Sequence, residues 1–363
     1  MNELELSLQG ASDELFTRYE ALATGLAPIH QEVVAGASAT DGGWLTDHGP
    51  KHIAKVGSEA AKIIGQMGAE LVPYEIFLLL LSIQVHDIAN ISGRANHENR
   101  IDEVWGRVFG PLGFDSLDKN MAIQIASTHG GNFEGSKSTL RAVEPNTKYK
   151  NIPIRPRLLA AILKLADELA EEIDRASIVQ LELGLLPKES EVYHIYSSGL
   201  HTAHVEASSG TIELKLAFSS EYFGRKFGKG KGEVFLLEEI FERTLKTWSE
   251  AIYCSRFLPN LLLTTVDVDV QIFDEETKLE ACRVKYRLED TGYPTVAAGD
   301  IYDVCPDLAD FKGKGRLTPE SLKATLSSDS SGASSSSEAD ADEEDKDVSS
   351  IGRIVKAVSG FFK

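Results

Sequence analysis

Apolar positions in the first half of the chain recur at helical spacing. In PKHIAKVGSEAAKIIGQMG, which starts at Pro50, residues Ile53, Val56, Ala60, Ile63 and Ile64 share one face, and Pro50 suits a first turn. PYEIFLLLLSIQVHDIA, from Pro73, is apolar nearly all round, the pattern of a central buried helix. ENRIDEVWGRVFG, SLDKNMAIQIASTHG and RPRLLAAILKLADELAEEI are amphipathic, the last with a wide apolar face. The period changes near Leu181. EVYHIYSS, LHTAHVEA and GTIELKLAF read as strands separated by the turn signal SSG. A helix is expected over EVFLLEEIFERTLKTWSEAIYCSRFL, then strands over TTVDVDVQIF and EACRVKYRLE. No internal repeat is visible.

This gives a mainly α protein in four parts. Residues 1–180 form a helical domain and 181–325 a smaller α+β region. Residues 326–349 are Ser-rich and acidic with almost no large apolar side chains, the composition of a disordered linker. In 350–363, Ile351, Ile354, Val355, Val358 and Phe362 return to helical spacing, with Arg353, Lys356 and Lys363 off that stripe. A helix this short needs a surface to fold on. A groove on a partner protein or on its own or a neighbouring subunit is the expected destination, ahead of an anionic membrane.

Composition narrows the function. The 363 residues carry a formal net charge of −19, which repels nucleic-acid backbones and argues against duplex binding. A small phosphorylated substrate stays open, because a metal ion and a few cations reverse the field locally. Cys254, Cys282 and Cys305 form no CxxC pair and no metal-ligand spacing, so a reduced, cytoplasmic setting is expected. The acidic start MNELELSLQGASDELF lacks the basic and apolar regions of a signal peptide. The run IFLLLLSI is too short to span a bilayer.

Five of the nine histidines lie between residues 48 and 129. They are His48 and His52 in TDHGPKHIAKV, His86 in VHDIAN, His97 in RANHENR and His129 in ASTHGGN. Asp87 adjoins His86, and Asp167 stands in LKLADELAEE. Neutral imidazoles and carboxylates are what a divalent first-row metal takes as ligands, and such a metal lowers the pKa of a bound water. An adjacent His-Asp pair cannot point from one helix face, so a helix ending at the pair is expected to aim both at one ion. Arg94, Arg157, Lys164 and Arg175 are candidates to neutralise phosphate, Arg94 and Lys164 foremost. GKGKGE, Gly228 to Glu233, lacks the glycine spacing and terminal Lys-Ser or Lys-Thr of a P-loop. His194, His201 and His204 read as ordinary sheet residues.

A His, an adjacent His-Asp and a distant Asp in LADEL, all in a helical region, resemble the HD-domain metal-dependent phosphohydrolase superfamily. The likeness covers roughly residues 40–180. HIAKV, HDIA, the GRxxH pattern and LADEL look closest to HD domains of bacterial conflict and defence proteins. The resemblance implies His52, His86, Asp87 and Asp167 as metal ligands, with His48 an alternative to His52. It implies catalytic roles for His97 and Glu98, and for His129 a catalytic-site role that either completes a two-metal site or contacts phosphate. The stretch from Asp87 to His97 is shorter than in two-metal members, which counts against a second ion and leaves it as the alternative.

The expected activity is metal-dependent hydrolysis of a nucleotide phosphoester or phosphoanhydride, with Mn, Mg, Co, Ni, Zn or Fe as cofactor. Deoxynucleoside triphosphates come first as substrate, then cyclic or linear dinucleotides, then single-stranded nucleic acid. Two other readings compete. One is a di-iron oxygenase of the HD fold that uses His52, His86, Asp87, His97, His129 and Asp167. The other is a nucleotide-sensing scaffold that recruits a partner through its tail.

Overall fold

The structure is a computed structural model that describes residues 1–39, 46, 48–93, 96–109, 115–149, 151–171, 175–290 and 300–332. Arg94 and the segments 333–349 and 350–363 lie outside the described residues.

The N-terminal half is helical: α1 (Glu3–Ala11), α2 (Asp13–Ala39), α3 (Pro50–Met67), α4 (Pro73–Val85), α5 (Ile101–Phe109), α6 (Ser116–Ala126) and, after a short hairpin of β1 (Thr147–Tyr149) and β2 (Ile152–Ile154), α7 (Pro156–Leu169). Helix α4 is the axis. Its side chains from Tyr74 to Ile83 are buried on every face, and it packs against α1, α2, α3, α6 and α7. Pro73–Ser92 is apolar and long enough to cross a membrane, but it is 83% buried inside this core. At their N-terminal ends α4 and α7 are clamped together. Arg155 donates from Nε to Glu75 Oε1 at 2.9 Å and from its terminal amine to Glu75 Oε2 at 2.6 Å. From that clamp each helix runs about 17 Å at 1.5 Å per residue. His86-Asp87 and Asp167 therefore arrive at the same level.

The second half begins with α8 (Ile178–Glu182) and α9 (Glu191–Gly199). A strand was expected over EVYHIYSS; the structure makes it helix α9. Val192, Ile195, Tyr196 and Gly199 are its buried side, a spacing of three and four that the run of β-branched and aromatic residues conceals. A sheet follows in the order β3-β4-β7-β8, from Leu200–Glu206, Thr211–Ser219, Thr265–Phe273 and Glu280–Glu289. The central pair β4 and β7 is parallel, and the outer pairs are antiparallel. Between β4 and β7 the chain forms the hairpin of β5 (Lys226–Lys229) and β6 (Gly232–Phe235) and then α10 (Leu236–Ser255). Helix α10 was expected from Glu233; its first three residues belong instead to β6. It packs on β7, α9 and α7, and so joins sheet and bundle in one continuous core. The far face of the sheet is charged, with Arg287 forked onto Asp267 and Arg283 onto Asp269. Short helices α11 (Ile301–Val304) and α12 (Pro306–Ala309) precede α13 (Pro319–Gly332), which carries helix past residue 326 into the expected linker.

Candidate metal centre

Helix α4 ends where the His-Asp pair begins. His86 keeps helical dihedrals as the cap, Asp87 leaves them at φ −109° and ψ 2°, and a 3-10 turn follows from Ile88 to Ser92. The break lets both side chains reach one point, as the sequence required. His52 reaches it from the first turn of α3, just after Pro50, and Asp167 from the last turn of α7.

The four donor atoms nearly outline a tetrahedron. His52 Nε2 lies 3.3 Å from His86 Nε2, 3.5 Å from Asp87 Oδ2 and 3.2 Å from Asp167 Oδ1. His86 Nε2 lies 3.3 Å from Asp87 Oδ2 and 3.6 Å from Asp167 Oδ1. Corners placed about 2.1 Å from a centre, the usual zinc–nitrogen and zinc–oxygen length, stand about 3.4 Å apart. The residues thus fit a divalent cation. Both imidazoles and Asp87 are buried, whereas the Asp167 carboxylate keeps 24% of its surface, which marks the mouth.

The other oxygen of Asp87 belongs to a second group. Asp87 Oδ1 is 3.1 Å from His97 Nε2 and 3.5 Å from His129 Nε2, and those two nitrogens are 2.9 Å apart. The short connection from Asp87 does not keep His97 away. Gly93 at φ 97° and Asn96 at φ 53° fold the chain sharply back. His129 is set just past α6; its carbonyl accepts from the Lys164 ammonium at 2.9 Å, and Thr139 holds the carbonyl of Thr128.

Contacts on the far side of three rings bear on their tautomers, two of them hydrogen bonds. His86 Nδ1 donates to the Ile83 carbonyl at 2.8 Å and His129 Nδ1 to the Ala126 carbonyl at 2.7 Å. His97 Nδ1 faces Glu98 Oε2 at 3.3 Å. A neutral ring that donates from Nδ1 presents a lone pair at Nε2. Lone pairs of His97 and His129 so close to each other and to a carboxylate oxygen call for a positive centre between them. His52 differs: its Nδ1 is buried without a hydrogen-bond partner among the described residues.

Charge in the protein alone agrees. Burial pushes His86 down, but the Asp87 and Asp167 carboxylates more than offset it and hold the imidazole well above its ordinary value. Burial likewise opposes ionisation of Asp87 and Asp167, yet the imidazoles around them keep both well below the usual carboxylate range. The site therefore holds two ionised carboxylates that cation-binding would neutralise.

The remaining candidates separate. His48 stands outside the four donors: its Nδ1 meets Asp87 Oδ2 at 2.7 Å, and the Arg175 guanidinium backs it at 3.2 Å from Nε2. Glu98 orients His97 from behind. A Cβ on Gly131, which sits at φ 70°, would come within 2.5 Å of Glu98 Oε1, so HGG in the sequence makes room for this carboxylate. Lys164 is buried and bonds the His129 carbonyl and, at 3.3 Å, Glu250. Arg157 bonds the Val143 carbonyl and lies over the Phe257 ring. His194 is a core residue whose Nδ1 accepts from the Ser177 amide. His30 was missed. Its Nε2 lies 2.7 Å from the Gln84 carbonyl, and burial holds it below its ordinary value. Its place on the Leu22, Leu26, Ile29, Val33 face of α2 was the available signal.

A protein-family model named HD-CE matches residues 43–225, just over half of the chain. The chain belongs to the HD-CE family. The match takes in every described ligand candidate and runs past Leu181 into the turn before β5. No curated protein and no solved structure matches the chain. The HD-CE domain thus carries a buried His/Asp cluster suited to divalent metal.

Proposed function

We propose that this HD-CE protein is a metal-dependent phosphohydrolase acting on nucleotides, with deoxynucleoside triphosphates as the first substrate class. One observation carries the reading: Asp87 places one oxygen in a donor group with His52, His86 and Asp167 and the other in a group with His97 and His129. The first group is complete as a four-donor set. The second has three protein donors and leaves coordination open, the arrangement of catalytic rather than structural sites. Bound there, divalent cations supply a Lewis acid for a phosphoryl oxygen and a water acidic enough to attack it.

The chain's own residues bind and orient. Asp87 would serve both donor groups with one oxygen each, and His97 and His129 would offer their Nε2 lone pairs to a cation because Glu98 and the Ala126 carbonyl face their Nδ1 atoms. This reading gives His97 a ligand role and Glu98 an orienting one, in place of the proton-handling roles first expected, and takes for His129 the two-metal role that was one of its two expectations. Lys164 is a positioning residue for His129 rather than a phosphate contact. Arg94 keeps the phosphate-contact role as a proposal. Asp167, at the mouth, faces the incoming nucleotide. The likeness of HIAKV, HDIA and LADEL to conflict-system HD domains supports a role in antiviral defence, tested by phage plaquing with wild type and Asp87→Ala.

The test is a nucleotide panel with Mn²⁺, Mg²⁺, Co²⁺ or Ni²⁺, read by phosphate release and chromatography. Hydrolysis of dNTPs that disappears in Asp87→Ala supports the reading. No turnover of mono- or dinucleotides with any ion overturns it. The convergence of six His and Asp residues also favours a second reading, a di-iron oxygenase. Oxygen uptake with iron and no phosphate release would establish that one instead.

A further inference from the structure

Helix α8 lies beside the site segment, three residues after Arg175, and buries none of its own residues. Val179, Leu183 and Leu185 are 53%, 61% and 62% exposed, and Val179 and Leu183 stand one turn apart. Between them Glu182 has both carboxylate oxygens out of solvent with no hydrogen-bond partner among the described residues. A buried carboxylate without a partner is costly and is relieved by a cation. Glu182 is not alone. It and Glu221 and Glu275 all press their charge on Tyr222, after burial the main reasons its phenol is pushed up to about 12. Glu221 and Glu275 also oppose each other, with Arg225 and Lys278 nearby. The surface thus pairs exposed aliphatic side chains with an acidic wall.

The last described helix packs near this surface. Helix α13 packs on the turn Ser220–Phe223, and Lys323 Nζ donates to the Gly224 carbonyl at 3.2 Å. From Gly332 the sequence continues through a Ser-rich acidic stretch to Ser350 and then to IGRIVKAVSGFFK. That last segment has Arg353, Lys356 and Lys363 and no acid. Its apolar residues, Ile351, Ile354, Val355, Val358 and Phe362, recur at helical spacing. Residues 333–350 intervene, and a chain of that length reaches up to about 60 Å when extended.

We infer that residues 351–363 dock on α8 of the same chain, with their apolar stripe on Val179, Leu183 and Leu185 and Arg353 or Lys356 beside Glu182. Basic charge meets acidic wall, and apolar stripe meets exposed aliphatics. The contact is small, so it depends on tethering, which supplies an effective concentration in the millimolar range.

Disulfide trapping in the full chain tests this. Cys254, Cys282 and Cys305 are buried and do not compete. Leu185→Cys with Val358→Cys is oxidised by glutathione disulfide, and Leu117→Cys with Val358→Cys serves as control, since Leu117 on α6 is 55% exposed. Melting temperatures close to wild type establish that both variants fold. The expected result is a disulfide within one chain, formed at least about tenfold faster than in the control. Adding Arg353→Glu and Lys356→Glu slows it toward the control rate. Equal rates in the two pairs overturn the inference. So does a disulfide between chains whose rate rises with protein concentration, which points to a second copy.

Discussion

Two clusters of buried carboxylates lie within a few turns of each other, and they are neutralised in different ways. At the seam of α7, α9 and α10, Glu171 meets Arg243 at 3.0 Å and Arg175 at 4.0 Å, and its second oxygen accepts from Ser197. Arg243 also bonds Glu239, which takes Lys229 at 2.7 Å, and Glu168 takes Lys246 and Thr247. Every charge there has a built-in opposite that cannot be titrated away near neutral pH. At the candidate metal centre, Asp87 and Asp167 face imidazoles, of which His86 and His129 have their far nitrogens engaged by backbone carbonyls, and no Arg or Lys reaches either carboxylate among the described residues. The first cluster is complete as protein and holds two regions together. The second presents the donor set of a candidate cation site. Arg175 joins them, since it reaches Glu171 on one side and His48 on the other.

Breaking the second cluster has the largest expected effect. Asp87→Ala removes the bridging carboxylate from both donor groups. Turnover falls by about 10³-fold or more, the scale of losing a metal-activated nucleophile, while the far-ultraviolet circular dichroism stays near wild type. Full activity in a metal-depleted Asp87→Ala protein would end the comparison.

Breaking the first cluster acts on the fold. Arg243→Ala leaves Glu171 and Glu239 without their guanidinium, and denaturant titration should show a loss of about 3–5 kcal/mol. Metal bound per folded chain should hardly change. An equal fall in metal content and stability would mean that the clusters are one unit.

Acid sharpens the difference. Arg243 and Arg175 pull the largely buried Glu171 down to about 2, against the push of burial, from an ordinary value of 4.5. A lowered folded value stabilises only when the group is ionised. The contribution is therefore complete above pH 4.5 and disappears as pH falls through about 2. Melting temperatures of wild type and Glu171→Gln should converge over that interval. A constant gap between them would remove Glu171 from the network. The smallest effect is expected on the open face of the sheet. Arg287 is 55% exposed, so Arg287→Ala should shift stability by less than about 1 kcal/mol in the same titration.

The metal centre was legible in the chain because its residues break local rules. A His-Asp pair at the end of an all-apolar helix has no packing reason to be there, and neither does an Asp on the apolar face of LKLADEL. The seam network breaks no such rule. Glu239 and Arg243 sit in the amphipathic α10 and Glu171 just past the end of α7, where charged residues are expected, and only the crossing of α7 and α10 shows that they are drawn out of solvent. The closeness of His97 to Asp87 was hidden for another reason. It depends on the sharp reversal through Gly93 and Asn96, which brings His97 back although the connection is short. Helix α9 was hidden because β-branched and aromatic residues favour strands, and packing on α10 decided otherwise.

The central claim is that Asp87 joins two cation sites, and metal analysis after reloading with Mn²⁺ tests it most directly. Wild type should hold two ions per chain with an exchange-coupled electron paramagnetic resonance signal. His97→Ala should hold one, uncoupled, and Asp87→Ala close to none. A single uncoupled ion in wild type, unchanged by His97→Ala, would contradict the account.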